Sequence, residues 1–199
     1  MTTLATAPPT PPSVVAPPTA TEWLPPRPQP ARTGVLVGIA AIAMSFAAFT
    51  SALVVRQGAS PDWQHFRLPT ILYFNTVLLI GSSFTLETSR RQQSWTRYWL
   101  YATLALGLSF VLGQLLAWRN LAAQGLFLAT SPSSAFFYIF TALHGLHLLG
   151  GVVGLLYALY RLQHATAPAA EAALGAAALY WHFMAVLWLY LLSILALRI

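Results

Sequence analysis

Three histidines are the residues best placed to do chemistry. His144 and His147 stand three apart in Leu143-His-Gly-Leu-His147, so they share one face of a helix, and His182 stands in Tyr180-Trp-His-Phe183. Imidazole is a common ligand of haem iron and of zinc, so His147 and His182 could serve a b-type cytochrome. The alternative is that each imidazole forms a hydrogen bond across a helix interface. We favour this alternative, because no carboxylate stands nearby in the sequence to act as a base beside zinc.

Glu87 is the acidic residue closest to the interior of an apolar segment. It could relay protons, or it could pair with Arg90 or Arg91, which follow three and four residues later. Residues at these spacings are neighbours on a helix surface, so the sequence favours an ion pair at a helix end.

A strip of small and polar residues precedes Glu87. It begins with Asn75 and Thr76 and continues through Gly81, Ser82, Ser83 and Thr85. We expect these residues to pack and form hydrogen bonds between helices; lining a ligand site is the alternative. Trp181 and Trp188 are likewise predicted to pack against neighbouring helices or lipid rather than against a cofactor.

These residues lie on five apolar stretches. A hydrocarbon layer about 30 Å thick is crossed by about 20 residues of helix. The predicted helices cover about 34–55, 69–89, 98–118, 134–160 and 172–197, with Pro168 in the loop before the fifth. The sequence therefore predicts an all-α polytopic membrane protein, a bundle of five transmembrane helices. Because the loops are short, we expect successive helices to be antiparallel neighbours.

The overall composition agrees with a lipid environment. Of the 199 residues, 57% are hydrophobic and 7% are charged, whereas about a quarter of a soluble domain is charged. Cysteine is absent, which excludes disulfides, thiolate metal sites and a cysteine nucleophile. All ten basic residues are arginine and lie scattered over loops and tails, so we expect no nucleic-acid partner.

Residues 1–33 differ from the remainder of the chain. Ten of the fourteen prolines lie between Pro8 and Pro30, mixed with alanine and threonine. Such a segment buries too little apolar surface to offset its ordering entropy. We predict a disordered, proline-rich N-terminal tail over 1–33 and a membrane domain over 34–199.

Arginines indicate the orientation of the domain. The tail, the second loop and the fourth loop contain six arginines, against four on the other side of the bundle. Positive residues favour the cytoplasmic side of a membrane. We therefore predict a cytoplasmic N-terminus and a C-terminus outside.

The middle of every predicted span lacks Asp, Glu and Arg. Ion-coupled transporters and proton pumps need ionisable groups at that depth, so the sequence disfavours both classes. We expect no catalytic, metal-binding or cofactor-binding residue in this chain.

Residues 34–199 resemble subunit III of the haem–copper oxidases, cytochrome c oxidase subunit III, in its short five-helix bacterial form. Four segments carry the resemblance, in the family's order: Asn75-Thr-Val-Leu-Leu-Ile-Gly-Ser-Ser-Phe-Thr85, Phe140-Thr-Ala-Leu-His-Gly-Leu-His-Leu-Leu-Gly150, Tyr180-Trp-His-Phe183 and Val186-Leu-Trp-Leu-Tyr190. The pairing of His-Gly-x-His with Tyr-Trp-His-Phe is more specific than any single segment.

The resemblance implies an accessory subunit of a respiratory terminal oxidase in a bacterial plasma membrane. Such a subunit binds no haem or copper itself, packs against catalytic subunit I in a complex that includes subunit II, and holds phospholipids. The complex supports aerobic electron transport: it reduces dioxygen with electrons from cytochrome c or quinol and pumps protons. Haem and copper are therefore expected in the partner.

Three positions depart from the family's pattern of carboxylates. Met44 or Ser45 replaces a glutamate of the first helix, Gly175 replaces a glutamate before His182, and Ala185 replaces an aspartate after it. These departures make a transferred role in proton uptake doubtful. They leave open a subunit III-like partner of a quinol oxidase or a nitric oxide reductase.

Overall fold

The computed structural model describes residues 30–59 and 61–199. Five long helices account for most of these residues, and a short 3-10 helix, Gln93–Trp95, precedes the third. The long helices are α1 (Pro30–Ala59), α2 (Ile71–Arg91), α3 (Thr96–Ala123), α4 (Pro132–His164) and α5 (Ala167–Arg198). Each is long and apolar enough to cross a membrane, and the described ranges contain no strand. The predicted fold class, an all-α polytopic membrane bundle, is confirmed.

Four of the five helices begin earlier than predicted, and three of these, α1, α4 and α5, have a proline at their first or second position. α1 starts at Pro30, so residues 30–33 are helical rather than part of a disordered tail; residues 1–29 lie outside the described residues. α5 starts at Ala167, which places Pro168 in its first turn and not in a loop. Proline suits this position because the first turn leaves its N–H groups unpaired.

The start of α4 shows why a helix begins there. The Ser131 hydroxyl accepts a hydrogen bond from the Ser134 amide at 3.2 Å, and the Ser134 hydroxyl accepts one from the Ser131 amide at 3.1 Å. Pro132 occupies the first helical position. Two free backbone donors are thus satisfied, which fixes the register of α4 and of its histidines.

Helices α2, α3, α4 and α5 form a closed ring, in which each contacts the next and α5 contacts α2. Helix α1 lies outside this ring and packs on α5 and α4. Between the described residues of α1 and α2 there is no direct packing, so the expectation that all successive helices are neighbours is wrong for this pair.

The segment between α1 and α2 explains this exception. It crosses the ends of α4 and α5: the Phe66 amide donates to the Ile199 oxygen at 3.0 Å, and the Trp63 indole donates to the Arg198 oxygen at 3.1 Å. The Ser133 hydroxyl donates to the Gln64 oxygen at 2.6 Å. Eleven residues separate Ala59 from Ile71 and can span about 36 Å, several times the distance of 8–10 Å between packed helices.

Candidate functional site

His144 lies fully buried where α3, α4 and α5 meet. Its ring centroid is 5.8 Å from that of Phe110 and 5.1 Å from that of Trp188. Neither ring nitrogen has a hydrogen-bond partner among residues 30–59 and 61–199. The predicted interhelical hydrogen bond is therefore wrong for His144, whose contacts on α3 and α5 are aromatic.

His147 faces a different neighbour. Its ring lies 5.9 Å from the ring of Phe46 on α1, and its Nδ1 atom lies 2.7 Å from the Leu143 oxygen of its own helix. Three residues turn a helix by about 300°, so the two imidazoles diverge by about 60° and contact different helices. An interhelical bond does exist here, but the Tyr180 hydroxyl donates it, at 2.9 Å, to the backbone oxygen of His147.

Glu87 forms the predicted contacts at the end of α2. Its carboxylate accepts from Arg91 Nε at 2.9 Å and from Arg90 Nη1 at 3.1 Å. His182 of α5 places Nε2 4.0 Å from the same carboxylate. Folding therefore brings beside His182 a carboxylate that lies 95 positions away in the sequence. The Glu87 and His182 side chains are each 36% exposed, so the cluster lies at the edge of the bundle.

Two indoles of α5 bond to hydroxyls of α2. The Trp188 indole donates to Thr76 Oγ1 and the Trp181 indole donates to Ser82 Oγ, each at 3.0 Å. Both tryptophans are buried, so these bonds join α2 to α5 inside the ring. The polar strip of α2 thus bonds to packing residues of α5.

Glycine allows the closest approaches to these side chains. A Cβ atom on Gly107 of α3 would lie 2.6 Å from the ring of Trp181, and one on Gly151 of α4 would lie 3.1 Å from it. A Cβ atom on Gly113 would occupy the position of the Asn75 amide oxygen. Small residues at these places bring α3 and α4 close to the polar strip and to α5.

The sequence interpretation missed Gln114 and Phe110 of α3. Gln114 is 4% exposed and neither atom of its amide has a partner in the described part of the chain. Phe110 lies one turn before it, with its ring centroid 4.9 Å from that of Trp188. An uncharged amide inside a long apolar helix is a signal that could have identified Gln114.

The histidines do not converge on a common ligand site. His147 contacts α1, His144 contacts α3 and α5, and His182 lies beside Glu87. Within residues 30–59 and 61–199, no group of three or more His, Asp or Glu side chains could hold a metal ion. A pair of axial haem ligands at His147 and His182 gains no support, because the two rings contact α1 and α2 respectively.

The positions of the missing family carboxylates lie in three environments. Met44 is 68% exposed on α1, and the adjacent Ser45 hydroxyl donates to the Ala41 oxygen of its own helix at 2.9 Å. Ala185 is buried on α5, whereas space remains around Gly175. A charged side chain at position 185 would be buried within the bundle, whereas one at position 44 would be exposed on its outer surface.

Among the clefts on the outside of the bundle, two are lined by arginine and by residues of both α4 and α5. One, of about 850 Å³, is lined by Ser89, Arg90, Arg97 and Glu171, among others. The other, of about 700 Å³, lies between α1, α4 and α5 and is lined mainly by glycine and alanine, with Arg161 and Tyr157 among its polar residues. The Arg161 side chain donates to the Tyr157 hydroxyl at 2.7 Å.

Comparison with known proteins agrees with the resemblance seen in the sequence. The family model described as Cytochrome c oxidase subunit III matches residues 35–197, which include nearly all of the membrane domain. A Mycobacterium tuberculosis protein named probable cytochrome c oxidase subunit 3 is 31% identical over 179 residues, covering 85% of this chain and 88% of the relative.

Similar matches come from other bacteria. The Nocardia farcinica protein of the same name is 30% identical, covering 84% of this chain and 87% of the relative. A Thermostichus vulcanus protein named cytochrome c oxidase subunit 3 is 29% identical, covering 81% of this chain and 84% of the relative. The family model over residues 35–197 and the relatives of 30–31% identity therefore place the chain in the cytochrome c oxidase subunit III family.

Proposed function

We propose that this chain is the accessory, non-redox subunit III of a bacterial respiratory terminal oxidase of the cytochrome c oxidase type. The observation that carries the proposal is the family match over residues 35–197, which takes in all five helices rather than one motif. The chain would pack on catalytic subunit I, in a complex that also contains subunit II.

The polar interior of the bundle supports a role without redox chemistry of its own. The buried polar side chains of the ring include uncharged ones such as Asn75, Gln114 and His144, and the two buried indoles bond to hydroxyls. Haem, copper and the chemistry of dioxygen reduction would lie in the partner. The contribution of this chain would be to the assembly and durability of the complex.

Phospholipid is a proposed partner of the cleft between α1, α4 and α5. Its glycine and alanine walls leave about 700 Å³ for apolar chains, and Arg161 offers a positive charge to a phosphate. Arg161 Nη1 donates to the Tyr157 hydroxyl at 2.7 Å, and a guanidinium has five N–H donors, so further donors are offered to a headgroup phosphate.

The arginine distribution supports a cytoplasmic N-terminus in a bacterial inner membrane. Arg90, Arg91 and Arg97 lie around the turn between α2 and α3, and Arg161 lies in the last turn of α4. In this orientation the cluster at Glu87 and His182 faces the cytoplasmic side. A reporter enzyme that is active only outside the membrane, fused to the α2–α3 turn, would test the orientation. Reporter activity would place this turn outside and contradict the proposed orientation.

Purification from the native membrane tests the proposed function. We would tag the chain, extract it with a mild detergent, identify the proteins that accompany it and record a reduced-minus-oxidised spectrum. We expect haem signals together with a large catalytic subunit. A Soret band in the isolated chain that disappears in His182→Ala would instead support a b-type cytochrome and overturn the proposal.

The same preparation distinguishes the kinds of complex. Oxygen consumption with reduced cytochrome c indicates a cytochrome c oxidase, and oxygen consumption with quinol alone indicates a quinol oxidase. Consumption of nitric oxide without dioxygen would assign the chain to a nitric oxide reductase. Each result leaves the membership of the family unchanged.

A further inference from the structure

Three buried polar side chains at the centre of the ring share an unusual property. Asn75 and His144 are 0% exposed and Gln114 is 4% exposed. All six of their side-chain nitrogen and oxygen atoms lack a hydrogen-bond partner within the described ranges 30–59 and 61–199. They come from three different helices, α2, α3 and α4, so helix capping does not explain them.

Asn75 of α2 approaches α3 at the residue before Gln114. The Asn75 amide fills the space beside Gly113, where a Cβ atom would overlap it, and Gln114 is the next residue of α3. Phe110 lies four residues before Gln114, on the same side of the helix. Both are buried, so this side of α3 faces the interior of the ring.

The same chain of contacts returns through α4 and α5. Phe110 meets His144, with ring centroids 5.8 Å apart, and His144 meets Trp188 at 5.1 Å. Trp188 donates to Thr76 at 3.0 Å, and Thr76 follows Asn75 directly in α2. Three contacts and one hydrogen bond, joined by neighbouring positions along α2 and α3, therefore link the three unpartnered residues in one loop within the ring.

Unpartnered polar groups at this depth are costly. Leaving an amide or imidazole without a hydrogen bond in an apolar environment is unfavourable, because the group loses its bonds to water and gains none in return. Helices in lipid can lower this cost only by pairing such groups with one another or with water. Three unpartnered side chains on one contact loop indicate a shared ligand.

The donor set defines the chemistry of that ligand. Each amide supplies donors and an acceptor, and a neutral imidazole supplies one of each, so the ligand must both donate and accept. The loop contains no carboxylate, so a metal cation would keep its full charge inside the membrane, at high cost. A small neutral molecule with both capacities meets these requirements.

We propose that Asn75, Gln114 and His144 form an internal hydration site that binds ordered water between α2, α3 and α4. The water would join three helices that otherwise meet there through aromatic and apolar contacts. The site lies inside this chain, so its occupancy does not depend on which catalytic subunit the chain accompanies.

A high-resolution cryo-electron microscopy map of the complex purified from its native membrane tests the site directly. We expect one or more density peaks at hydrogen-bonding distance from at least two of the three side chains. Direct bonds among Asn75, Gln114 and His144 with no peak between them would overturn the proposal. So would a peak with the short, regular coordination of a metal ion.

Radiolytic hydroxyl-radical labelling gives a second test in solution, because radicals formed from bound water oxidise the side chains beside it. Trp188 touches His144 and should be labelled, whereas Trp181 is equally buried but bonds to Ser82 and serves as the matched control. In the Asn75→Leu, Gln114→Met double variant the Trp188 label should be lost. Equal protection of both indoles in the natural protein would contradict an internal water site, whether or not the variant folds.

Discussion

Helices α1 and α5 are similar in hydropathy and length but differ in how deeply they are buried in the bundle. Their most apolar 18-residue windows have mean hydropathies of 2.0 and 1.7, and both helices are about 30 residues long. Yet half of the most apolar window of α5 is buried in the bundle, against 11% of that of α1. α5 contacts α1, α2 and α4, whereas α1 rests on the outside of the ring.

The difference shows what hydropathy measures in lipid. Apolar side chains gain little by leaving lipid for a protein interior, so hydropathy reports that a helix spans the membrane and not where it lies. Position depends on close packing and on hydrogen bonds between helices. α5 contains Trp181 and Trp188, which bond to α2. Among the side chains of α1 that the structure describes, the only large apolar ones that are buried are Phe46 and Leu53. Four experiments test this contrast.

Truncating the central indole should have the largest effect. Trp181→Ala removes a fully buried side chain that contacts Gly107 and Gly151, and truncations of this kind cost about 3–5 kcal/mol. The measurement is the SDS fraction at the midpoint of unfolding in mixed micelles. Met44→Ala on α1, where the side chain is 68% exposed, is the control and should change stability by less than about 0.5 kcal/mol. Equal losses of stability in Trp181→Ala and Met44→Ala would show that α5 is no more central to the bundle than α1.

Adding a side chain where α3 closely approaches Trp181 should cause the second-largest loss of stability. Gly107→Val places atoms within 3 Å of the Trp181 ring and should cost about 1–3 kcal/mol in the same unfolding measurement. Gly38→Val on α1 is the matched control, because an added Cβ there meets nothing within 4 Å. Trp181→Phe should recover part of the loss in Gly107→Val, and a failure to do so would place the strain elsewhere.

The bond between Ser82 and Trp181 should contribute a smaller amount. Comparing Ser82→Ala, Trp181→Phe and the double variant gives a coupling free energy, expected to be about 0.6 kcal/mol and at most about 1.7. A coupling free energy near zero would mean that the two side chains only pack, despite the 3.0 Å separation of the indole nitrogen and the hydroxyl.

The smallest effect is expected where α1 joins α5. The Tyr190 hydroxyl donates to Thr50 Oγ1 at 2.9 Å on an exposed face of the bundle. A cycle of Tyr190→Phe and Thr50→Val should give a coupling below about 0.6 kcal/mol, because the free hydroxyls can bond elsewhere. A coupling larger than that of Ser82 and Trp181 would reverse the ranking of the two helices.

The sequence was sufficient for the helices and insufficient for their arrangement. Hydropathy and length identified all five helices, because a membrane admits few other backbone structures. Their order around the ring depends on the path of the segment between Ala59 and Ile71, whose bonds to Ile199 join distant parts of the chain. Local patterns do not encode such contacts.

The candidate residues divide in the same way. The pairing of Glu87 with Arg90 and Arg91 follows from helical spacing and was predictable. Helical spacing gives the divergence of His144 and His147, but the helices that they contact depend on what packs on each side of α4. The approach of His182 to Glu87 needs the packing of α5 on α2. Gln114 was recognisable only as a polar residue in an apolar helix, and its significance came from its neighbours.

The position of α1 outside the ring has a consequence for biosynthesis. α2 with α3, and α4 with α5, are hairpins whose partners emerge from the ribosome one after the other. α1 packs on α4 and α5, and 107 residues separate Ala59 from the start of α5 at Ala167. At about 5–20 residues per second, α1 waits about 5–20 s for that helix. During this interval α1 is available to the insertion machinery or to another subunit.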